Sequence, residues 1–172
     1  MQVPSHDPSL PPSDERNDLY DAVVRQVRAL LEDEPDWIAA MATVANVLNE
    51  TFDYFHWTGF YRAISEDVLV VGPYQGGHGC LRISFDRGVC GAGARSRQTQ
   101  LVPNVDEFPG HIACSSSTRS EIVVPVVTPA ERLLGVLDVD SDIPAAFTYV
   151  DQERLELLCD YLGRKYRETV VL

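Results

Sequence analysis

The hydrophobic pattern along the chain predicts two helices, a run of strands and a closing helix. From Ser13 onward, apolar residues recur every three or four positions, which is the spacing of one helix face. Acidic residues and a proline at 32–35 end this helix, and Asp36 is placed to cap a second one. Residues 149–167 repeat the helical spacing and predict the last element.

Between the helices, short apolar segments of strand type are separated by turns. These segments lie at residues 54–63, 68–74, 81–85, 100–102, 122–127 and 133–140. Residues 89–96, rich in alanine and glycine, predict a small helix among them. Hairpin-joined strands flanked by helices indicate an α+β fold, with a mostly antiparallel central sheet and helices mainly on one face.

One polar loop, residues 105–121, stands out from this pattern. Pro109 and Gly110 turn the backbone, since proline fixes φ and glycine frees it. Cys114 follows, and after it come four consecutive hydroxyl residues, whose side chains compete with helix or strand for backbone hydrogen bonds. We predict an ordered loop with inward-facing N–H groups and the Cys114 thiol at its centre.

Length and composition restrict the classes of function. The 172 residues fit one domain, which we place at 14–172 after a disordered, proline-punctuated leader at 1–13. The net charge of −12 argues against a nucleic-acid partner, and no apolar run has the length of a membrane span. Because the N-terminus lacks a signal-peptide pattern, we predict a cytoplasmic protein whose cysteines form disulfides only transiently.

The cysteines divide into two kinds. Cys159 lies in the apolar face of the last helix and is predicted to be a buried core residue. The other three lie in loops or at the start of an element, and they are Cys80, Cys90 and Cys114. The spacings His78-x-Cys80 and His111-x-x-Cys114 resemble zinc ligands, but no C-x-x-C pair is present, so we expect neither a metal nor a cofactor.

Two further groups of residues suggest a binding site. Asp138 and Asp140 share a strand face, and a hairpin would bring Glu121 beside them, so that mutual repulsion raises at least one pKa. The alternative interpretation of these three carboxylates is a strand end exposed to solvent. Trp57 and Tyr61 also share a face, either as core filling or as an apolar slot for a small ligand. A thiol, an acid and an apolar slot meet the needs of sulfoxide reduction, although these residues alone leave other thiol chemistry open.

Seven short motifs resemble the free methionine-(R)-sulfoxide reductase family, which is built on a GAF domain. They are WTGFY (57–61), GPYQG (72–76), CLRI (80–83), RGVCG (87–91), FPGHIAC (108–114), SEIVVP (120–125) and GVLDVDS (135–141). The resemblance extends from about residue 19 to residue 162. It implies a GAF-like fold and an enzyme that reduces free L-methionine (R)-sulfoxide to methionine.

The resemblance also implies a role for each thiol. Cys114 would attack the sulfoxide sulfur and become a sulfenic acid, and Cys80 would resolve it as an intramolecular disulfide. Cys90 is similar to a third family cysteine that joins thiol exchange, and the attacking role has been given to either position. We favour Cys114, because the N–H groups of its loop would stabilise a thiolate.

The same resemblance assigns the substrate contacts, and the disulfide product indicates the reductant. The acids Glu121, Asp138 and Asp140 would bind the ammonium group and the sulfoxide oxygen. Trp57 and Tyr61 would enclose the S-methyl group, and N–H groups around Ser116 and Ser117 would hold the α-carboxylate. Thioredoxin is the expected reductant, and the first helix is a candidate homodimer surface. A GAF small-ligand sensor and a thiol redox sensor are the alternative functions.

Overall fold

The computed structural model describes residues 7–112 and 114–169, which form four helices and six strands. In chain order these are α1 (Ser13–Leu30), α2 (Trp37–Thr51), β1 (Trp57–Ala63), β2 (Val68–Gln75), β3 (Arg82–Ser84), α3 (Gly88–Ser96), β4 (Gln100–Val102), β5 (Ser120–Val127), β6 (Leu133–Ser141) and α4 (Tyr149–Lys165). A single 3-10 turn, Val105–Glu107, follows β4. The predicted cap of α2 is confirmed, because the Asp36 carboxylate accepts from the Ala39 N–H at 2.8 Å.

The six strands form one sheet in the order β3-β2-β1-β6-β5-β4. Every neighbouring pair is antiparallel, and β1 and β6 occupy the two central positions. The order places β6 beside β1, and β5, which forms a hairpin with β6, lies on the other side of β6. The predicted α+β class with an antiparallel sheet is confirmed.

The two faces of the sheet are covered differently. Helices α1, α2 and α4 pack on one face, where Phe60, Ile122 and Leu137 are fully buried with them. Of the helices that the structure describes, only α3 packs on the other face, against a smaller apolar cluster that includes Val123 and Val136. The prediction that the helices lie mainly on one face is therefore confirmed, and the second face is left for loops.

Two strands begin two or more residues away from the position predicted from sequence. Strand β5 begins at Ser120 rather than at 122, so Glu121 lies within the sheet and pairs with Asp140. Strand β1 begins at Trp57 rather than at 54, because the Phe55 N–H closes a turn on the Phe52 carbonyl at 3.0 Å and both rings are buried. Aromatic composition alone does not separate such a buried turn from a strand.

The N-terminal residues lie partly outside the described part. Of the predicted leader, residues 1–6 are not among the described residues, and Leu10 is buried against the larger core with 5% of its surface exposed. The Arg16 Nε donates to the Pro11 carbonyl at 2.9 Å, which attaches this segment to α1. Within residues 7–112 and 114–169, no helix combines the length and the apolar character needed to cross a bilayer. The homodimer surface on α1 stays a prediction.

A buried ion-pair network joins α1 to α4. The Asp151 carboxylate, fully buried, accepts from Arg16, from Tyr20 at 2.9 Å and from Tyr54 at 2.7 Å. The Thr148 N–H also donates to it, which completes a capping box at the start of α4. Since Arg16 is 1% exposed, its charge has no access to water when this carboxylate is removed.

An Asp151→Asn variant is expected to lose about 3–5 kcal/mol of unfolding free energy, because the buried Arg16 charge loses its counter-ion. Urea denaturation measures the loss. As a control, Asp160→Asn breaks an exposed helix pair with Arg164 and should leave the midpoint almost unchanged. Equal midpoints for Asp151→Asn and the parent protein would contradict the assignment of this network as a stabilising one.

Candidate active site

A cavity of about 40 Å³ lies on the α3 side of the sheet, between the strands and two loops. Its floor is formed by β1, β5 and β6, one wall by the first turn of α3, and the rim by the loops that carry Cys80 and Cys114. It is lined by Trp57, Tyr61, His78, Gly79, Ile83, Gly88, Val89, Cys90, His111, Ile112, Cys114, Ser115, Thr118, Glu121, Asp138 and Asp140. Eight of the ten residues proposed from sequence contact this cavity or form its rim, and Ser116 and Ser117 do not.

A disulfide joins Cys80 and Cys114 at the rim, with 5.6 Å between the Cα atoms. Cys114 is exposed and Cys80 is partly buried. Backbone hydrogen bonds hold the loop around Cys114: the Cys114 N–H donates to the Ile112 carbonyl, and the Gly88 N–H at the start of α3 donates to the Gly110 carbonyl. Gly110 has a φ of +74°, a conformation that favours glycine. The two cysteines of the zinc site considered from sequence, Cys80 and Cys114, are therefore bonded to each other.

The other two cysteines are buried and unbonded to each other. Cys90, in the first turn of α3, is 3% exposed, and burial followed by the nearby Asp138 and Glu121 charges raises its pKa well above the usual value. It is consequently a neutral thiol rather than a thiolate. Cys159 is 1% exposed in the larger core, as predicted, on the opposite face of the sheet from the cavity.

The acidic trio, defined as Glu121, Asp138 and Asp140, is brought together by the register of β5 and β6. Glu121 pairs with Asp140, and Val123 pairs with Asp138 two residues further on. Burial, then the charges of Asp138 and Asp140, raises the pKa of Glu121 well above its usual value. Burial raises the pKa of Asp138 to about 7, with hydrogen bonds to Cys90 and Glu121 opposing the rise. The trio therefore retains protons near neutral pH.

One oxygen of this trio lacks a partner. The Asp138 Oδ1 atom is buried and accepts no hydrogen bond within the described protein, while the side chain is 5% exposed. An unpaired buried carboxylate oxygen is costly, and in native proteins it commonly marks a position that a ligand or ion completes. Because Asp138 lines the cavity, this oxygen is available to a donor group placed there.

Aromatic rings form the apolar end of the cavity. Trp57 stacks on Tyr61 with ring centroids 5.7 Å apart and on Tyr74 with ring centroids 5.1 Å apart. The Trp57 Nε1 donates to the Gly77 carbonyl at 3.0 Å, which fixes the indole against the loop. Tyr74 was not foreseen, because its contribution depends on the pairing of β1 with β2.

The hydroxyl-rich segment, residues 115–118, lines the cavity with other residues than those predicted from sequence. Ser115 and Thr118 line the cavity, whereas Ser116 is exposed. The Ser117 hydroxyl lies 3.0 Å from His56 Nε2, and its N–H donates to the Ser115 hydroxyl at 3.3 Å. The binding of a carboxylate by N–H groups of Ser116 and Ser117 stays a prediction.

His111 is a second residue that was given too small a role. The His111-x-x-Cys114 spacing indicated only zinc ligation for this side chain, yet its Nε2 lies 3.7 Å from the Glu121 Oε2 at the cavity wall. Burial lowers the His111 pKa, with the Asp106 charge opposing the change. A neutral imidazole thus lies between the buried acids and the solvent, where it is able to accept or deliver a proton.

Comparison with known proteins identifies the family. A family model described as GAF domain matches residues 16–164. Over 149 residues the chain is 38% identical to the free methionine-R-sulfoxide reductase of Escherichia coli strain K12, covering 87% of this chain and 89% of that one. The chain belongs to the free methionine-R-sulfoxide reductase family.

Two further relatives agree with this membership. The free methionine-R-sulfoxide reductase of Saccharomyces cerevisiae is 33% identical over 155 residues, covering 87% of this chain and 86% of that one. A crystal structure of the Neisseria meningitidis free methionine-R-sulfoxide reductase in complex with its substrate is 42% identical, with a TM-score of 0.84, and covers 94% of this chain and 96% of that one. The GAF fold predicted from sequence is therefore confirmed for this member of the free methionine-R-sulfoxide reductase family.

Proposed function

We propose that the protein reduces free L-methionine (R)-sulfoxide to methionine. The Cys114 thiolate attacks the sulfoxide sulfur, the acidic trio protonates the oxygen, and methionine leaves while Cys114 becomes a sulfenic acid. The Cys80 thiol then attacks the sulfenic sulfur, which releases water and forms the Cys80–Cys114 disulfide. Two thiols are oxidised to one disulfide while one sulfoxide is reduced to a thioether, so the electrons balance.

One observation carries the proposal: the Cys80–Cys114 disulfide lies on the rim of the cavity whose interior holds the acidic trio. The exposed Cys114 is accessible to substrate and to a reductant, whereas Cys90 is buried as a neutral thiol. The order of roles proposed from sequence, with attack by Cys114 and resolution by Cys80, is supported by this difference in burial. A redox sensor or a small-ligand sensor would leave the protonated acids beside the sulfurs without a role.

The chemistry of the cavity favours a free amino acid. The carboxylates, including the unpaired Asp138 Oδ1, suit the ammonium group and the sulfoxide oxygen, and Trp57 with Tyr61 suits the S-methyl group. The α-carboxylate is proposed to meet the N–H groups near Ser116 and Ser117. In a peptide, both charged ends are replaced by amides, and each buried group left unpaired costs about 1–3 kcal/mol. Peptide-bound methionine sulfoxide is therefore a poor substrate.

The disulfide product requires a dithiol reductant for a second cycle. We propose thioredoxin for this step, because a dithiol exchanges with the exposed Cys114 sulfur and releases both thiols. A cytoplasmic setting, in which such reductants keep thiols reduced, fits the same cycle.

The reaction is tested by incubating the protein with dithiothreitol and each epimer of free methionine sulfoxide, and by following methionine formation chromatographically. The R epimer is expected to be consumed and the S epimer to survive. N-acetylated, amidated methionine (R)-sulfoxide, which lacks both charged ends, is expected to react at least about 100-fold more slowly. If neither free epimer were consumed, the proposed sulfoxide reductase activity would be wrong.

The rate of sulfoxide reduction is expected to fall as the pH rises past about 7. Because burial raises the pKa of Asp138 to about 7, the coupled trio gives up one of its protons as the pH rises past this value, and its capacity to donate a proton falls. Thiolate formation acts in the opposite sense and limits the rate at low pH, so the profile is bell-shaped and its apparent pKa values belong to the coupled groups. Single-turnover rates measured between about pH 5 and 9 test this. A rate that climbs steadily across the range would contradict an acid donor.

Gly79→Ala is expected to raise KM about tenfold with a smaller change in kcat, equivalent to about 1.4 kcal/mol of binding. A Cβ atom at Gly79 would lie 2.9 Å from the Tyr61 hydroxyl and 3.0 Å from the Trp57 ring. Both rings are buried and stacked on each other, so neither yields readily. Gly77→Ala is the matched control, since a Cβ there meets no atom within 4 Å. Equal KM values for the two variants would show that the rings do not bound the substrate.

A further inference from the structure

Three potential metal ligands meet at the base of the cavity, on three different elements. The Cys90 Sγ on α3, a Glu121 carboxylate oxygen on β5 and an Asp138 carboxylate oxygen on β6 all lie within 4.8 Å of one another, and all three residues are buried. None of the three belongs to the His78, Cys80, His111 and Cys114 set considered from sequence. Because helix and sheet fix the ligands, the arrangement needs little reorganisation to close around an ion.

A second observation indicates that this cluster has room for a bound group. The Asp138 Oδ1 is buried and accepts no hydrogen bond within the described protein, although Asp138 is only 5% exposed. All three ligand residues line the same cavity of about 40 Å³. Since one water needs about 10–15 Å³, this volume accommodates a cation together with a water ligand.

We propose that Cys90, Glu121 and Asp138 form a binding site for one thiophilic divalent cation of the Zn²⁺ and Cd²⁺ class. One thiolate and two carboxylates supply three of the four positions that Zn²⁺ takes, and a cavity water supplies the fourth. Mg²⁺ and Ca²⁺ prefer six or more oxygen ligands and do not favour a thiolate, so they are excluded by the ligand set.

Occupation of this site has a consequence that rests on the proposed function. A cation held by Glu121 and Asp138 repels the ammonium group of the substrate from the same carboxylates. The ion is therefore an inhibitor rather than a resident cofactor, and it binds only after Cys90 and the carboxyl groups release their protons, so binding tightens as the pH rises.

The test uses the oxidised protein in buffer free of reductant. Of the four cysteines, Cys80 and Cys114 are then bonded to each other, and Cys159 lies in the core on the opposite sheet face, so Cys90 is the thiol available at the cavity. Titration with CdCl₂, followed by the ultraviolet cadmium–thiolate absorption, is expected to saturate at one ion per chain. Cys90→Ser should abolish the band, and the matched control Cys159→Ser should retain it.

Two further measurements test the site separately by metal binding and by enzyme inhibition. Asp138→Asn keeps the thiol and is expected to weaken Cd²⁺ binding at least about tenfold. In the reduced enzyme, Cys90→Ser is expected to need at least about tenfold more Zn²⁺ for half-inhibition than the parent. Absence of the band in the parent, its survival in Cys90→Ser, or unchanged affinity in Asp138→Asn would overturn the site. If Cys90→Ser and the parent were equally sensitive to Zn²⁺, the proposed inhibition through this site would be wrong. If the parent bound Cd²⁺ but did not reduce methionine sulfoxide, the proposed function alone would be wrong.

Discussion

Replacing Cys114 with serine is expected to lower the rate of methionine formation by at least about 1,000-fold. A serine hydroxyl is not ionised near neutral pH and is a far weaker nucleophile toward sulfoxide sulfur than a thiolate. Cys114 occupies an exposed position on the rim of the cavity, beside its partner Cys80. No other cysteine combines exposure with contact to the acid-lined cavity, so no other thiol replaces it.

The remaining cysteines serve as controls that locate the attacking sulfur. Cys90→Ser is expected to keep the first-turnover rate within about tenfold of the parent, because Cys90 is a buried neutral thiol. Cys80→Ser should permit one turnover and then stop, since the sulfenic acid on Cys114 lacks its resolving thiol. Full activity in Cys114→Ser together with its loss in Cys90→Ser would assign the attack to Cys90.

Replacing Glu121 with glutamine is expected to lower the rate about 100-fold or more, the range associated with a lost general acid. Glu121 is 6% exposed, and its pKa is raised by burial and by the charges of Asp138 and Asp140, which favours the protonated form that the proposed transfer to the sulfoxide oxygen requires. Glutamine preserves the volume of the side chain but has no proton to transfer. The loss is therefore expected in the single-turnover rate rather than only in KM.

Glu107→Gln is the matched control for this substitution, since Glu107 is exposed and lies outside the cavity lining. Its contact with the Asn104 side-chain amide at 2.9 Å is one that glutamine also makes. The control should reduce methionine sulfoxide at the parent rate. A Glu121→Gln enzyme that matches it would exclude Glu121 from proton transfer.

Local patterns were sufficient to predict those parts of the site that one hairpin or one strand builds. The neighbouring positions of Glu121 and Asp140 follow from the hairpin of β5 and β6, and the stacking of Trp57 with Tyr61 follows from alternation within β1. The start of β5 was placed two residues late, because the serine and glutamate before the apolar run are typical of a loop. Pairing with β6 overrides that local preference.

Local patterns of this kind could not predict the contacts between elements that are distant in the sequence. The position of Cys90 against Asp138 depends on how α3 packs on the sheet, and the contribution of Tyr74 depends on the pairing of β1 with β2. For His111, the motif alone suggested a metal ligand, whereas its distance of 3.7 Å from Glu121 appears only once the loop is folded. The spacing of residues along a chain predicts which side chains share one face of a helix or strand. It does not predict which other element packs against that face.

A stoichiometric single turnover distinguishes attack by Cys114 from attack by any other thiol of the chain. Fully reduced protein is mixed with one equivalent of free methionine (R)-sulfoxide without added reductant, methionine is quantified, and the disulfides are mapped by mass spectrometry. We expect one methionine and one Cys80–Cys114 disulfide per chain, with Cys90 and Cys159 still free. Methionine formed while Cys114 remains a free thiol would contradict attack by Cys114.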